Sequence, residues 1–135
     1  GGNWLRIENN KIKNSHINSH IYGSQIFKMM NKAAISLNIL RKQNETSHNM
    51  KTFEIPANNG LMLTTRSKEQ DFFFKENHAS FMYSSKAELN NKIRFILSNQ
   101  TKAEKVRKNG NSTVKKHSYI NRIQILINEI NKINK

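Results

Sequence analysis

The chain reads as an α/β protein: a parallel sheet flanked by helices, with a helical C-terminal tail. Three observations predict it. Short apolar runs of strand character recur at residues 34–39, 61–65 and 80–83. Segments of helical spacing lie between them, and strands joined through helices take right-handed crossovers into a parallel sheet. Residues 85–135 carry helix-start signals followed by apolar residues three and four apart.

Taken in order, residues 5–20 are polar and loop-like, with four Asn and with His16 and His20. Two His four apart would meet on a helix, but with no third ligand nearby a polar surface segment is the better reading than a metal site. Ile21-Tyr22-Gly23 reads as a brief strand. Ser24 to Ala33 reads as a helix with Ile26, Met29, Met30 and Ala33 on one side. Ala34 to Ile39 is a strand. Asn58-Asn59-Gly60 signals a turn before the strand Leu61 to Thr65. Ser67-Lys68-Glu69-Gln70 opens a short helix containing Phe72, Phe73 and Phe74, and Ser80 to Tyr83 is a third strand.

Ser85-Lys86-Ala87-Glu88 is a capping box, in which Ser85 accepts from a free amide and Glu88 reaches back. Leu89, Ile93, Ile96 and Leu97 follow at helical spacing. Thr101-Lys102-Ala103-Glu104 reads as a second capping box. The helix after it would turn Ala103, Val106, Gly110, Thr113, Val114 and His117 inward, with Gly110 permitting close packing. A last helix carries Ile120, Ile123, Leu126, Ile127, Ile130 and Ile133 on one stripe, and is expected to lie on a globular core.

Composition narrows the function. The chain has 135 residues and a formal net charge of +14, with 36% hydrophobic residues. That length suits one compact domain or a piece of a larger protein. With no Cys, disulfide scaffolds, Cys-ligated zinc and thiol nucleophiles are excluded. No apolar run approaches the roughly 20 residues that span a bilayer. The sequence opens on Gly1-Gly2-Asn3-Trp4 without an initiator Met or signal pattern, and so reads as an excised piece. The chain contains 17 Lys, 21 Asn and 16 Ile, residue types that share A/T-rich codons. Its densest basic stretch, Lys105 to Lys116, would scatter around a helix and not form a stripe. A solvated basic surface is therefore preferred to a nucleic-acid groove.

In an open parallel sheet, ligands bind beyond the carboxyl ends of the strands, where helix N-termini present amides to anions. Here that place follows Ile39 and runs from Arg41 to Glu54. Amides at Ser47, His48 and Asn49, with His48 and Lys51 nearby, suit a diphosphate. Glu54 lies a turn into the following helix, where a carboxylate can accept from two vicinal hydroxyls. Pro56 requires that helix to be short, kinked or late to begin.

The run from Lys51 to Thr64, Lys-Thr-Phe-Glu-Ile-Pro-Ala-Asn-Asn-Gly-Leu-Met-Leu-Thr, resembles the signature of spore-maturation-protein-like glycosyltransferases of the group 1 superfamily. The resemblance extends upstream through Ile21-Tyr22-Gly23 and Ala34 to Asn38. Downstream it extends through the two capped helices to Asn109-Gly110 and His117-Ser118-Tyr119. It covers about Gly2 to about Asn128.

The resemblance implies a Rossmann-like sheet, the C-terminal half of a GT-B fold that lacks its first strand. Residues 1–100 would form a partial nucleotide-sugar-binding domain, with the helices of 101–135 packed on it. It implies the donor-binding half of a glycosyltransferase, part of a longer parent enzyme and inactive alone, because the acceptor site lies in a missing N-terminal domain. Glu54 matches the second acid of an E-x7-E element and would hold the ribose. The first acid falls on Thr46, with Glu45 one residue away. Ser47, His48 and Asn49 would face the diphosphate, and Tyr22, Asn38, Arg41, Lys51 and Thr52 complete the donor set. Lys51 stands for the family's Arg and loses its bidentate fork. Asn59 stands for a Gly, a substitution that a left-handed backbone tolerates. The expected partners are a nucleotide-diphosphate sugar and the missing domain, with no specific nucleic acid, no metal and no other cofactor. The expected location is the cytoplasm, with peripheral membrane association left open. A basic nucleic-acid-binding module and a non-catalytic interaction domain of the same fold are the alternatives.

Overall fold

A computed structural model describes residues 21–133. His16, His20 and the expected strand end at Gly2-Asn3-Trp4 lie outside the described residues. The elements run α1 (Ser24–Lys32), β1 (Ser36–Asn38), a 3-10 turn (Lys42–Asn44), α2 (Lys51–Ala57), β2 (Met62–Thr65), α3 (Lys68–Phe73) and β3 (Phe81–Tyr83). There follow α4 (Lys86–Ser98), α5 (Gln100–Val114), a second 3-10 turn (Lys115–His117) and α6 (Tyr119–Ile133). The strands form one parallel sheet in the order β1-β2-β3. Leu63 pairs with Leu37 on one side and Phe81 on the other. This is the α/β, parallel, helix-flanked arrangement that the strand–helix alternation predicts, and it is Rossmann-like in its layering.

β2 and β3 are short and almost wholly buried, which is why they read as unbroken apolar runs, whereas Leu37 of β1 is exposed. Alternate residues of β2 point to opposite faces. Leu61 and Leu63 join Phe81, Tyr83, Ile96, Ala103 and Val106 in one core cluster, beneath α4 and α5. Met62 joins Met30, Ile55, Phe74, Ala79 and Val114 in a second, beneath α1, α2 and the end of α5. Each fully buried Leu or Phe contributes about 1.5–3 kcal/mol of transfer free energy.

Local chemistry sets the boundaries. Pro56 sits in the last turn of α2, a helix of only seven residues, so the helix is short, one of the three outcomes its missing donor allows. Asn59 takes φ 55°, its amide donating to Pro56 and that of Gly60 to Ile55, so α2 closes in a Schellman motif with Asn where Gly is usual. A Cβ on Gly60 would lie 2.9 Å from the Ile55 side chain, so Gly is required there. Ser67 and Ser85 cap α3 and α4, accepting from Gln70 and Glu88.

Four expectations are corrected. Ile21-Tyr22-Gly23 forms no strand; Gly23 has φ 57° and turns the chain into α1. Thr101 does not cap α5. Asn99 alone separates α4 from α5, so the new helix starts at Gln100 and Thr101 lies inside its first turn. Thr113 and His117 are half-buried, while Ala103, Val106, Gly110 and Val114 face inward as expected. The stripe of α6 is not covered: Ile120 and Ile133 are at least 80% exposed, and no residue of α6 is buried. The chain turns away at Ser118, whose backbone is extended, after α4 and α5 have already covered one sheet face and α1, α2 and the end of α5 the other. Among the described residues, no helix is long and apolar enough to cross a membrane.

Candidate functional site

A cleft of about 730 Å³ opens between α2 and the segment that links α5 to α6. Its first wall is the loop after β1 and the outer face of α2: His48, Asn49, Met50, Phe53, Glu54 and Ala57. These α2 positions recur at three and four residues because Thr52, Ile55 and Pro56 turn inward to the core. The opposite wall is Asn111, Val114, Lys115, His117, Ser118, Tyr119 and Arg122. This volume is within the usual range of small-molecule sites.

Of the residues singled out from sequence, His48, Asn49 and Glu54 line the cleft. Glu54 is half-buried, and among the described residues its carboxylate has no hydrogen-bond or ion-pair partner. Ser47 lies beside them, its hydroxyl donating to Glu69 at 2.8 Å. His48 Nδ1 lies 2.6 Å from the same Glu69 oxygen. These contacts, His48 first, hold the Glu69 carboxyl below the usual range.

Asn38 and Thr52 are fully buried and reach the cleft only through Asn49. Asn49 Nδ2 donates to Asn38 Oδ1 at 2.9 Å, and the Thr52 hydroxyl accepts from Gln70 Nε2 at 2.9 Å and from the Asn49 amide at 3.2 Å. This network, spanning β1, α2 and α3, fixes the loop in the conformation that lines the cleft. The Ser47 amide donates to Asn44, so two of the three loop amides expected to meet a diphosphate are already engaged. Tyr22, Arg41 and Lys51 are exposed and do not line the cleft.

Phe53 is the centre of an aromatic floor. Its ring lies 5.4 Å from His48, 5.2 Å from Phe73 and 5.6 Å from His117. The Arg122 guanidinium sits over it at 4.9 Å. Burial, with the positive charges of Arg122 and Lys116, lowers the His117 pKa, so the ring is neutral at pH 7. Arg122, His117 and Lys115 were not legible as site residues, because they come from a segment more than 60 residues further along the chain. The nearest signal was the His117-Ser118-Tyr119 pattern.

A second polar centre closes the carboxyl end of β2. Arg66 donates to Glu88 at 2.6 Å and to Glu76 at 2.8 Å, and Lys92 also reaches Glu76. The hydrogen bond from Arg66 holds the Glu88 carboxyl down to about 2, and the two carboxylates raise the guanidinium further. Its charges are mutually satisfied, which marks it as a structural clamp. Among the described residues, no three His, Asp or Glu side chains cluster as a metal site.

A family model described as glycosyl transferase-like matches residues 1–128. No curated protein and no solved structure matches the chain.

Proposed function

The chain belongs to the glycosyl transferase-like family, and from that premise we propose that it is the donor-binding half of a glycosyltransferase, a module that holds a nucleotide-diphosphate sugar. The observation that carries the reading is the unpartnered Glu54 carboxylate, on the wall of a cleft lined by the last residues of the loop between β1 and α2. A carboxylate left unpaired in a pocket suits a ligand with paired hydroxyl donors, and a ribose supplies them. The spore-maturation type of the family is favoured by the run from Lys51 to Thr64.

In transfer, the bond from the sugar's anomeric carbon to the β-phosphate oxygen breaks and a bond to an acceptor oxygen or nitrogen forms. On this proposal the chain contributes binding and orientation. His48 and Asn49 shape the loop, Glu54 takes the ribose, and a facing domain brings the acceptor and any base.

Isothermal titration with UDP, GDP, ADP and CDP and their sugars tests this. One nucleotide series is expected to bind, and Glu54→Ala to weaken it about 100-fold or more, the worth of a pair of charge-assisted hydrogen bonds at about 1.5–3 kcal/mol each. Its 2′-deoxy analogue, which keeps one of the two hydroxyls, should bind the parent chain about 10-fold more weakly than the ribonucleotide does, a smaller loss than the variant's. Absence of binding by every series would remove the reading.

A further inference from the structure

We propose that the Lys115–Arg122 segment is the anion-binding wall of this cleft, with Arg122 and Lys115 taking the diphosphate; this rests on the donor-binding reading above. The argument starts from what the first wall lacks. The amides of Ser47 and Asn49 already donate within the protein, and Lys51 and Arg41 lie outside the lining. A diphosphate held on that wall alone would meet Glu54, a charge of its own sign.

The facing wall has the complementary chemistry. Lys115 and Arg122 both line the cleft, and among the described residues neither side chain has an ion-pair partner. His117 between them is neutral at pH 7, so the positive charge of this wall belongs to those two groups. Arg122 lies over the Phe53 ring at 4.9 Å. A guanidinium held over a ring face by cation–π attraction spends no N–H donor on that contact, and its fork matches a phosphate edge. Phe53 is itself fixed by His48, Phe73, Phe74 and His117, so the cation is set on a rigid platform.

One cleft thus holds an unpaired carboxylate and two unpaired cations that do not pair with one another. A ligand carrying hydroxyl donors at one end and phosphate oxygens at the other satisfies both sets. A nucleoside diphosphate is that class of molecule.

Titration of the chain with a nucleoside, its 5′-monophosphate and its 5′-diphosphate, in whichever base series binds best, separates the two ends. Affinity in the parent chain is expected to rise with each phosphate. In Arg122→Gln and Lys115→Gln the gain from mono- to diphosphate should shrink about tenfold, while nucleoside binding stays within about twofold. Arg122→Lys should recover only part of the gain, since it keeps charge but loses the fork. Lys86→Gln, an exposed charge outside the cleft lining, should change nothing, and circular dichroism checks that each variant folds. A full diphosphate gain in both Gln variants overturns the inference and leaves the donor reading standing. Equal weakening of nucleoside and diphosphate also overturns it, because the role would then be structural. Failure of the parent chain to bind any nucleotide removes the donor reading and this inference with it.

Discussion

His48 Nδ1 lies 2.6 Å from Glu69 Oε2, tying the loop after β1 to the first turn of α3. Ser47 donates to the same oxygen, and Ser67 Oγ donates to the Ser47 carbonyl at 2.9 Å. The loop that begins the cleft is therefore fastened from α3, a helix that does not itself line it. Glu69→Gln keeps the shape but loses the charge that holds both partners. The expected result is a several-fold loss of nucleotide affinity with little change in melting temperature, since the pair is only partly shielded from solvent. A large fall in melting temperature with unchanged affinity would show that the contact supports the fold and not the loop.

Acid should weaken the Arg66 clamp before it weakens the core. The folded pKa of Glu88 is depressed to about 2, so its contribution to stability is fully present above the ordinary glutamate range. It is lost as pH falls from there through about 2. Glu76 shifts in the same direction, chiefly through Arg66. Arg66→Ala is expected to cost about 1–2 kcal/mol at pH 7, allowing for partial solvent screening, and to flatten the decline between pH 5 and pH 2. Urea midpoints taken across that range for both chains would show it. Parallel curves would mean that other carboxylates govern the acid limb.

Much of this was legible in local pattern. The strands at 61–65 and 80–83 declared themselves as apolar runs, and Ser67 and Ser85 as caps, because each depends on residues within four positions. His48, Asn49 and Glu54 were legible because they follow a strand and open a helix. Arg122 was not, since its meeting with Phe53 depends on a turn at Lys115–His117 that no short window encodes. Thr101 was misleading for a related reason. A capping box is a competition between neighbouring starts, and α4 ends so close to it that Asn99 takes the boundary position. The α6 stripe was legible as a helix, but periodicity reports an apolar face without reporting what covers it.

That exposed face yields a contrast between two kinds of apolar residue. Ile123 and Leu126 are more than half exposed, whereas Ile96 is 1% exposed. Ile123→Asn and Leu126→Asn together should shift the unfolding free energy by no more than about 0.5 kcal/mol per site. Ile96→Ala should cost about 2–5 kcal/mol through lost transfer energy and a residual cavity. Chemical denaturation of the three chains compares them directly. Comparable losses at all three sites would mean that the stripe is packed in solution.

Thr52 tests the buried network. Its hydroxyl accepts from Gln70 and from the Asn49 amide, and it meets Asn38 at 3.4 Å. Thr52→Val keeps the volume and removes every one of these contacts, leaving buried amide donors without an acceptor. The expected cost is about 2–3 kcal/mol, most of it the desolvation of the stranded groups. Thr52→Ser, which keeps the hydroxyl, should cost about 1 kcal/mol, near the value of a lost methyl group. Equal losses for Val and Ser would assign the effect to packing alone.

Gly110 sets helix propensity against close packing. In an exposed helix, Gly→Ala gains about 1 kcal/mol. Here an added Cβ would lie 2.7 Å from the Ala79 carbonyl oxygen and 3.5 Å from the Pro56 Cβ. Relief by sliding the helix is opposed on both sides. Asn109 Nδ2 donates to the His78 carbonyl at 3.0 Å, and Asn111 Nδ2 donates to that of Pro56 at 2.8 Å. Overpacking against fixed backbone costs about 1–3 kcal/mol, so the clash should offset or exceed the propensity gain and Gly110→Ala should destabilise by up to about 2 kcal/mol. Ser112→Ala, two positions on and exposed, has no such neighbour and should be neutral or slightly stabilising. A stabilised Gly110→Ala chain would mean that α5 is free to retreat from Ala79 and that the two asparagine contacts do not hold it.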